Sequence, residues 1–411
     1  MAGLMQHRDA RIYVLAQCLS VAGDSALWLG MGIWVKILTG SNTEAGLVFF
    51  AYIAGALTAP IGGMVADRFR RRPLLIWANF ASAAAVCALL VATHRGDVWI
   101  IYAVMFVYGA VGSLVISAQT ALLAVMLPDE LLGDANATLQ TAEQGLRVLT
   151  PIAGAGLIAW VGPKPVVLID AVTFVIAGIA VASLKIRESA VSMAGHWMDE
   201  FTAGMRHIRQ TEALRKLLLA GVIALIAFGL IQPTLYAIVA NGLHRSPPFL
   251  GVLQVAMGVG GIVGGLLSMA IQDKIGERVL VLAGILAAAV AFPILTIGSL
   301  VPVLIAMFLI GACFVSVNIG AYTLIQRRTP NELIGRVDAA LSMAIMVPQG
   351  LALATGSALL AWVNFRPLLV VMTVILLLAA IPMLGVPAPE PRAAQPEAAP
   401  AETPAVEPAT S

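Results

Sequence analysis

Residues 62–73 read Gly-Gly-Met-Val-Ala-Asp-Arg-Phe-Arg-Arg-Arg-Pro, and this short basic turn decides the fold. It lies between two apolar stretches that are long enough to cross a membrane. Because loops rich in arginine stay in the cytoplasm, the turn is predicted to face that side. The glycines would let two helices approach closely, and Asp67 could accept from a facing helix N-terminus or pair with a nearby arginine.

The composition is that of a polytopic membrane protein. Of the 411 residues, 60% are apolar and only 11% are charged, and the mean hydropathy is +0.94. A soluble domain of this length does not have such a composition. The net charge of +2 gives no indication of a nucleic-acid partner. Cys18, Cys87 and Cys313 lie far apart in apolar segments, so neither a disulfide framework nor a metal site is expected.

Twelve segments have the length of about twenty apolar residues that a membrane span requires. Their approximate limits are 12–38, 44–66, 73–93, 98–126, 135–161, 164–184, 217–243, 247–272, 279–299, 301–325, 337–363 and 366–386. We number them spans 1 to 12. Residues 279–325 carry no charge, so the division between spans 9 and 10 depends on Gly298, Ser299 and Pro302.

The basic residues indicate the orientation. With the N-terminus inside, all but six of the 24 Lys and Arg fall in cytoplasmic segments; the exceptions are Lys36, Arg95, Lys164, Arg245 and Arg366 outside and Arg147 within a span. This asymmetry predicts a multi-pass protein with both termini in the cytoplasm.

Two repeats divide the chain into halves. Residues 128–134, Pro-Asp-Glu-Leu-Leu-Gly-Asp, recur as Pro-Asn-Glu-Leu-Ile-Gly-Arg 202 residues later (128 to 330). The turn at 62–73 has a degraded counterpart at 264–278, with Asp67 and Asp273 206 residues apart (67 to 273). Two six-helix bundles in parallel relation are therefore predicted.

The predicted organisation has five parts. A cytoplasmic N-terminus (1–11) precedes the first bundle (12–184), a cytoplasmic linker (185–216) joins it to the second bundle (217–386), and a tail rich in Pro, Ala and Glu (387–411) is expected to be disordered. The linker carries Trp197, Phe201, Met205 and Ile208 at helical spacing, which predicts an amphipathic helix at the inner leaflet. It would serve as a connector, with a regulatory role left open.

Span 1 carries the candidate coupling residue. Gln17, Ser20, Asp24 and Trp28 are spaced to share one helix face, and a charge inside a span is a functional hypothesis by default. Asp24 is predicted to be a proton-coupling or cation-sensing carboxylate; the alternative is a permanently ionised partner for a neighbouring helix. Arg147 is its expected counter-charge, and Glu143 would compete for the same guanidinium.

The other polar candidates outline a weakly polar cavity. They are Ser113 and Ser117 on span 4, Gln232 and Tyr236 on span 7, and Asn318 and Tyr322 on span 10. Each of the four second-half residues is more often a helix–helix contact than a ligand contact. Without a cluster of fixed charges, the cavity suits a small amphipathic molecule better than a sugar or a phosphate.

The basic turn resembles the loop between helices 2 and 3 of the major facilitator superfamily, G-x-x-x-D-R-x-x-R-R/K. The resemblance implies an all-α fold of twelve helices in two pseudo-symmetric bundles, and it implies a gating role for Gly62, Gly63, Asp67, Arg68, Arg71, Arg72 and Asp273. The turn would latch the cytoplasmic side in the outward-facing state. Residues 149–156 partly resemble the G-P-x-x-G-G element of antiporters in this superfamily: Pro151 and Gly154 match, while Thr150 and Ala155 replace glycines.

Three further segments resemble the bacterial branch that contains the enterobactin exporter and the macrolide-efflux permeases. They are residues 11–24, with Gly23 and Asp24; residues 127–137; and the surroundings of Asp170. The resemblance spans about residues 11–386. It implies a monomer in the cytoplasmic membrane that exports an antibiotic, a siderophore or a related metabolite, driven by a proton gradient with no cofactor or metal.

Two other functions stay open. One keeps the fold but imports a nutrient or moves a lysolipid between leaflets; the other is a transporter-like sensor or assembly partner without flux. The sequence has no Walker-type phosphate loop, no H-E-x-x-H and no nucleophile elbow, so an enzyme is not expected.

Overall fold

The computed structural model describes residues 8–58, 69–126, 153–184, 197–330 and 333–386, together with positions 139, 142, 145, 146, 150 and 151. Some of the predicted functional residues are not among the described ones. Outside the described residues lie Gly62, Gly63, Asp67, Arg68, Glu143 and Arg147, and the side chains of Ser113, Ser117 and Asp273.

The first half is built from long helices. Span 1 is Arg8–Thr39, span 2 Asn42–Ala56, span 3 Arg71–Ala88, span 4 Val98–Met126 and span 6 Lys164–Ser183, and span 5 is helical at 153–161. The Ser41 hydroxyl accepts from the Glu44 backbone N–H at 3.2 Å, so the chain reverses and restarts as span 2 within a few residues. The linker helix is Trp197–Gln210.

The second half has the same character. Span 7 is Glu212–Ala237, spans 8 and 9 occupy Leu250–Ile294, and spans 10, 11 and 12 are Leu300–Arg328, Ile334–Leu359 and Phe365–Leu384. Spans 9 and 10 separate at Gly298, whose φ of 68° suits glycine, as the sequence predicted. Within the described residues, nine helical segments are long and apolar enough to cross a membrane. The all-α membrane fold is therefore confirmed.

Each half contains the same pair of close contacts between a glycine and a backbone carbonyl of a neighbouring helix. In the first half, a Cβ at Gly55 would lie 1.9 Å from the Phe106 carbonyl oxygen, and one at Gly109 would lie 2.0 Å from that of Tyr52. The same contacts recur between spans 8 and 10, at Gly260 with Phe308 (1.9 Å) and Gly311 with Met257 (1.8 Å). The repeat distances are 205 residues (55 to 260) and 202 residues (109 to 311). The helix crossings themselves are thus duplicated.

In each half, an arginine near the start of the third helix donates hydrogen bonds to the end of the sixth helix. Arg72 donates from Nε to the Val181 carbonyl at 3.2 Å and from Nη2 to the Ala182 carbonyl at 2.5 Å. Arg278 donates from Nε to the Met383 carbonyl at 3.1 Å and from Nη2 to that of Leu384. In both halves the guanidinium meets the unsatisfied carbonyls at a helix C-terminus, where a positive charge is favoured.

The two halves touch near the end of the bundle that lies farther from Arg8, which we call the distal end. There the backbone of Gly32 packs against Tyr236, since a Cβ would lie 1.9 Å from its hydroxyl oxygen. Gly46 packs in the same way against Ser357, at 2.3 Å from Oγ. These close contacts shut the distal end in this conformation.

The linker helix lies against the second half. A Cβ at Gly204 would come within 2.2 Å of the Arg336 carbonyl oxygen at the start of span 11, and His207 Nε2 lies 3.1 Å from the Arg328 carbonyl oxygen. Ile208 is fully buried, and Phe201 is partly buried against the core. The predicted amphipathic helix exists, but this apolar face packs against protein, whereas the sequence favoured the inner leaflet.

Candidate functional site

A cavity of about 410 Å³ lies among the spans of the first half. Gln17, Ser20, Asp24 and Trp28 all line it, as their spacing on span 1 predicted. Spans 2, 3, 4, 5 and 6 supply most of the remaining wall, and Gln254 of span 8 contributes from the second half.

Asp24 and two amides form the polar part of the wall. The Tyr108 hydroxyl of span 4 donates to Asp24 Oδ1. Gln17 and Gln119 exchange two amide hydrogen bonds, of 2.7 and 3.2 Å. Both contacts join span 1 to span 4, and a carboxylate that accepts a hydrogen bond from a fixed hydroxyl is held in one orientation. The acidic group therefore faces the cavity in a defined position.

Aromatic rings surround this carboxylate. Tyr108 meets Phe174 edge-on, with centroids 5.8 Å apart, and Tyr52 lies 6.3 Å from Tyr108. Trp28 packs on Phe49 at 4.6 Å. Aromatic rings beside one acidic group among the described lining residues suit an amphipathic molecule that carries a positive charge, because ring faces attract cations.

Asp170 of span 6 lies directly behind Asp24. Its side chain is fully buried, and a Cβ at Gly23 would be 2.6 Å from its Oδ1. The Asp24 carboxyl faces it at hydrogen-bonding distance. The opposite face of span 6 exposes Leu168 and Val172, each at least half exposed, as expected for a surface against lipid. Asp170 is therefore directed into the bundle.

The predicted cavity residues of the second half have other surroundings. Tyr236 is 2% exposed and packs at the contact between the two halves. The Asn318 amide donates to the Phe314 carbonyl of its own helix at 2.7 Å, and Tyr322 is 49% exposed. Gln232 is partly buried. None of these four described side chains lines the cavity described above, and their role in binding stays a prediction.

The antiporter-like element of span 5 has one residue in the cavity. Pro151 contributes to the wall. Gly154 packs on span 1, because a Cβ there would lie 2.8 Å from the Ala26 carbonyl oxygen. The sequence interpretation assigned such small residues to a contact between the two halves; the structure places this contact within the first half.

Two described residues of the basic turns, Arg72 and Glu277, contact helices of their own halves. Arg72 donates hydrogen bonds to the Val181 and Ala182 carbonyls and so joins span 3 to span 6. Arg71 begins span 3. In the degraded second turn, Glu277 is 2% exposed and bonds Arg327 of span 10 at 2.8 Å. This pair joins helices of the second half.

Sequence reasoning missed several wall residues. Tyr108 and Gln119 lie on span 4, and Asn79 and Ser82 lie on span 3. One face of span 4 carries Tyr108, Gly112, Val115 and Gln119 at helical spacing. This pattern is a weaker sequence signal than the two serines of the same span, Ser113 and Ser117. Asn79 and Ser82 stand three residues apart in an apolar helix, which is equally typical of helix contacts.

The comparisons with known proteins agree with this architecture. The chain is 23% identical over 351 residues to macrolide efflux protein A of Streptococcus pyogenes, covering 82% of this chain and 86% of that protein. It is 27% identical over 301 residues to multidrug resistance protein MdtG of Dickeya zeae (strain Ech586), covering 72% of each chain.

A solved structure has the same fold. The crystal structure of a bacterial homologue of the iron transporter ferroportin, in its inward-facing state, superposes with a TM-score of 0.68 at 16% identity, covering 92% of this chain and 98% of that one. The family model of the Major Facilitator Superfamily matches residues 13–204 and 217–410. With a family match over nearly its whole length and with duplicated helix crossings, the chain belongs to the Major Facilitator Superfamily of membrane transporters.

Proposed function

We propose that the protein is a proton-driven antiporter that exports small amphipathic molecules, with a preference for cationic ones, across a bacterial cytoplasmic membrane. The observation that carries this proposal is the cavity wall, in which Asp24 and Tyr108 stand among aromatic rings and amides. No lysine, arginine or histidine occurs among its described lining residues. Such a wall attracts a cation and offers apolar surface to the rest of the molecule.

The relatives support export as the direction. Both proteins named above are described by efflux or drug resistance. The cavity volume of about 410 Å³ lies toward the lower end of the range for ligand pockets, about 300–1,000 Å³. We therefore expect planar organic cations and small amines to fit this conformation, and a macrolide to require a wider opening. A siderophore would suit the acidic wall less where it carries negative charge.

Alternating access would move the molecule past the closed distal end. If the charge asymmetry sets the orientation, the distal end is the outer one, and the conformation is closed to the outside. Export then requires the contacts of Gly32 with Tyr236 and of Gly46 with Ser357 to separate, as the two halves rock about the cavity.

The test is transport by a bacterial strain that lacks its own major drug exporters. Expression of the chain is expected to lower susceptibility to erythromycin and ethidium, and to drive ethidium out of loaded cells until a protonophore is added. Asp24→Asn is expected to abolish both effects. Glu44→Gln, at the exposed pair with Arg95, is the control and should transport normally.

Direction is measured in everted vesicles that carry an imposed proton gradient. Accumulation of ethidium inside them supports export, and gradient-driven loss would indicate the import alternative. Normal expression without flux of either probe, or of fluorescent lysolipid, would overturn the transporter proposal and favour a sensor.

A further inference from the structure

Asp170 has no part in the scheme above, although it is fully buried within a span. Neither of its carboxylate oxygens receives a hydrogen bond from a donor in the described part of the chain. The neighbouring Thr173 hydroxyl gives its single proton to the Asp170 backbone carbonyl at 2.7 Å. An ionised carboxylate in such surroundings is very costly, so buried acids are normally paired or neutral.

The groups around Asp170 come from several helices. Span 1 brings the Asp24 carboxyl, span 4 brings Tyr108, and Tyr52 of span 2 stands beyond that ring. Span 3 also packs on span 6, where its uncharged Asn79 lies against Gly178, about two turns along the helix from Asp170. The contact between the two acids requires a proton, because two carboxylates at hydrogen-bonding distance repel each other and share one.

We propose that Asp170 keeps a proton in this conformation and that Asp24 passes it to the cavity, so that the two carboxyl groups form one proton-binding site. The proton leaves the Asp170 hydroxyl for the Asp24 carboxylate and then reaches cavity water, which leaves both acids ionised until a proton returns. The inference rests on the proposed antiport for its purpose, since it names the group that would store the coupling proton.

The division of roles follows from position. Asp24 borders the cavity and accepts a hydrogen bond from the Tyr108 hydroxyl. Asp170 is outside the cavity wall and packs against the backbone of Gly23. Within the described part of the chain, no group of three or more His, Cys, Asp or Glu side chains could hold a metal ion, which would need several ligands. A proton is the ion that fits.

Infrared spectroscopy of the purified protein tests the proposal without any cargo. A carboxyl group that stays protonated at neutral pH gives a C=O stretching band separate from those of carboxylates, and the band shifts in D₂O. The wild-type protein is expected to have this band at pH 7. Asp170→Asn should lose it, since Asp24 would then ionise at the cavity. The control Glu44→Gln should retain it.

Asp24→Asn separates storage from relay. The band should persist in this variant, but its shift after transfer to D₂O should slow at least several-fold, because the path to the cavity is broken. A wild-type protein without the band, or a band that survives in Asp170→Asn, would overturn the proposal. So would loss of the band on addition of Na⁺ or Mg²⁺. Asp170→Asn is nearly isosteric, and a single symmetric peak on gel filtration verifies its fold.

The two proposals can fail separately. A band that depends on Asp170 in a protein that moves neither ethidium nor erythromycin would leave the proton site standing and overturn export. Gradient-driven export by a protein without the band would leave export standing and overturn the proton site.

Discussion

Gly109 is a position in the first half where one added methyl group would collide with backbone atoms. A Cβ there would lie 2.0 Å from the Tyr52 carbonyl oxygen and 2.9 Å from the Ala56 nitrogen, and both are backbone atoms that cannot rotate away. Contact at about 3.4 Å requires spans 2 and 4 to separate by about 1.4 Å. We expect Gly109→Ala to lower the unfolding free energy by about 1–3 kcal/mol, the range for overpacked cores.

The pseudo-symmetry supplies a second variant and span 4 supplies a control. Gly311→Ala should cost a similar amount, because a Cβ there would lie 1.8 Å from the Met257 carbonyl oxygen. Gly112→Ala, one turn further along span 4, meets nothing within 4 Å. It should be neutral or stabilise the helix by up to about 1 kcal/mol.

The assay is thermal unfolding of the purified proteins in one detergent, followed by tryptophan fluorescence, with gel filtration to count the folded fraction. The reasoning is refuted if Gly109→Ala melts at the wild-type temperature, or if Gly112→Ala loses as much stability as Gly109→Ala. Equal loss in the two halves would establish that the repeated crossings carry similar packing energy.

Three further variants test electrostatic contacts. Glu277→Gln should lower the melting temperature clearly, because breaking a buried ion pair lowers the unfolding free energy by up to about 3–5 kcal/mol. The loss is smaller here because Arg327 is partly exposed. Glu44→Gln, in an exposed pair, should lower the unfolding free energy by about 0–1 kcal/mol. Arg278→Lys keeps the positive charge but loses the planar guanidinium that donates to two carbonyls at once. The variant should therefore lower the unfolding free energy by about 1 kcal/mol in the same melting assay. Two backbone N–H groups that bond Asp97 hold the pKa of its carboxyl below the usual 3.8. This loop contact should persist above that pH and weaken as the pH falls through the lowered pKa. The measurement is the amide protection factor before span 4, which is the exchange rate relative to an unstructured peptide at the same pH; equal protection at pH 7 and pH 2 would contradict the prediction.

The spans, the two halves and the cavity face of span 1 could be predicted because each depends on local sequence. A run of apolar residues fixes whether a segment crosses the membrane, and the repeats at 128 and 330 fix the relation of the halves. Spacing alone put Gln17, Ser20, Asp24 and Trp28 on one face, where the cavity lies.

The rest could not be predicted because it depends on which helix lies opposite. Tyr236 and Asn318 have the pattern of cargo ligands, yet one packs on Gly32 and the other bonds its own helix. Arg72 belongs to a turn associated with gating, yet its bonds go to the end of span 6. A polar residue in a span has several possible partners, and no sequence spacing selects among them.

The sequence by itself determined that this chain crosses a membrane as two related bundles and that span 1 carries an acid toward their centre, since hydropathy and helical period act within a segment. The tertiary structure alone decided that Tyr108 orients Asp24 and that Asp170, 146 residues further along the chain (24 to 170), lies behind it. The reason is physical: inside a membrane a carboxyl group takes its properties from the atoms that replace water around it, and those atoms belong to other helices.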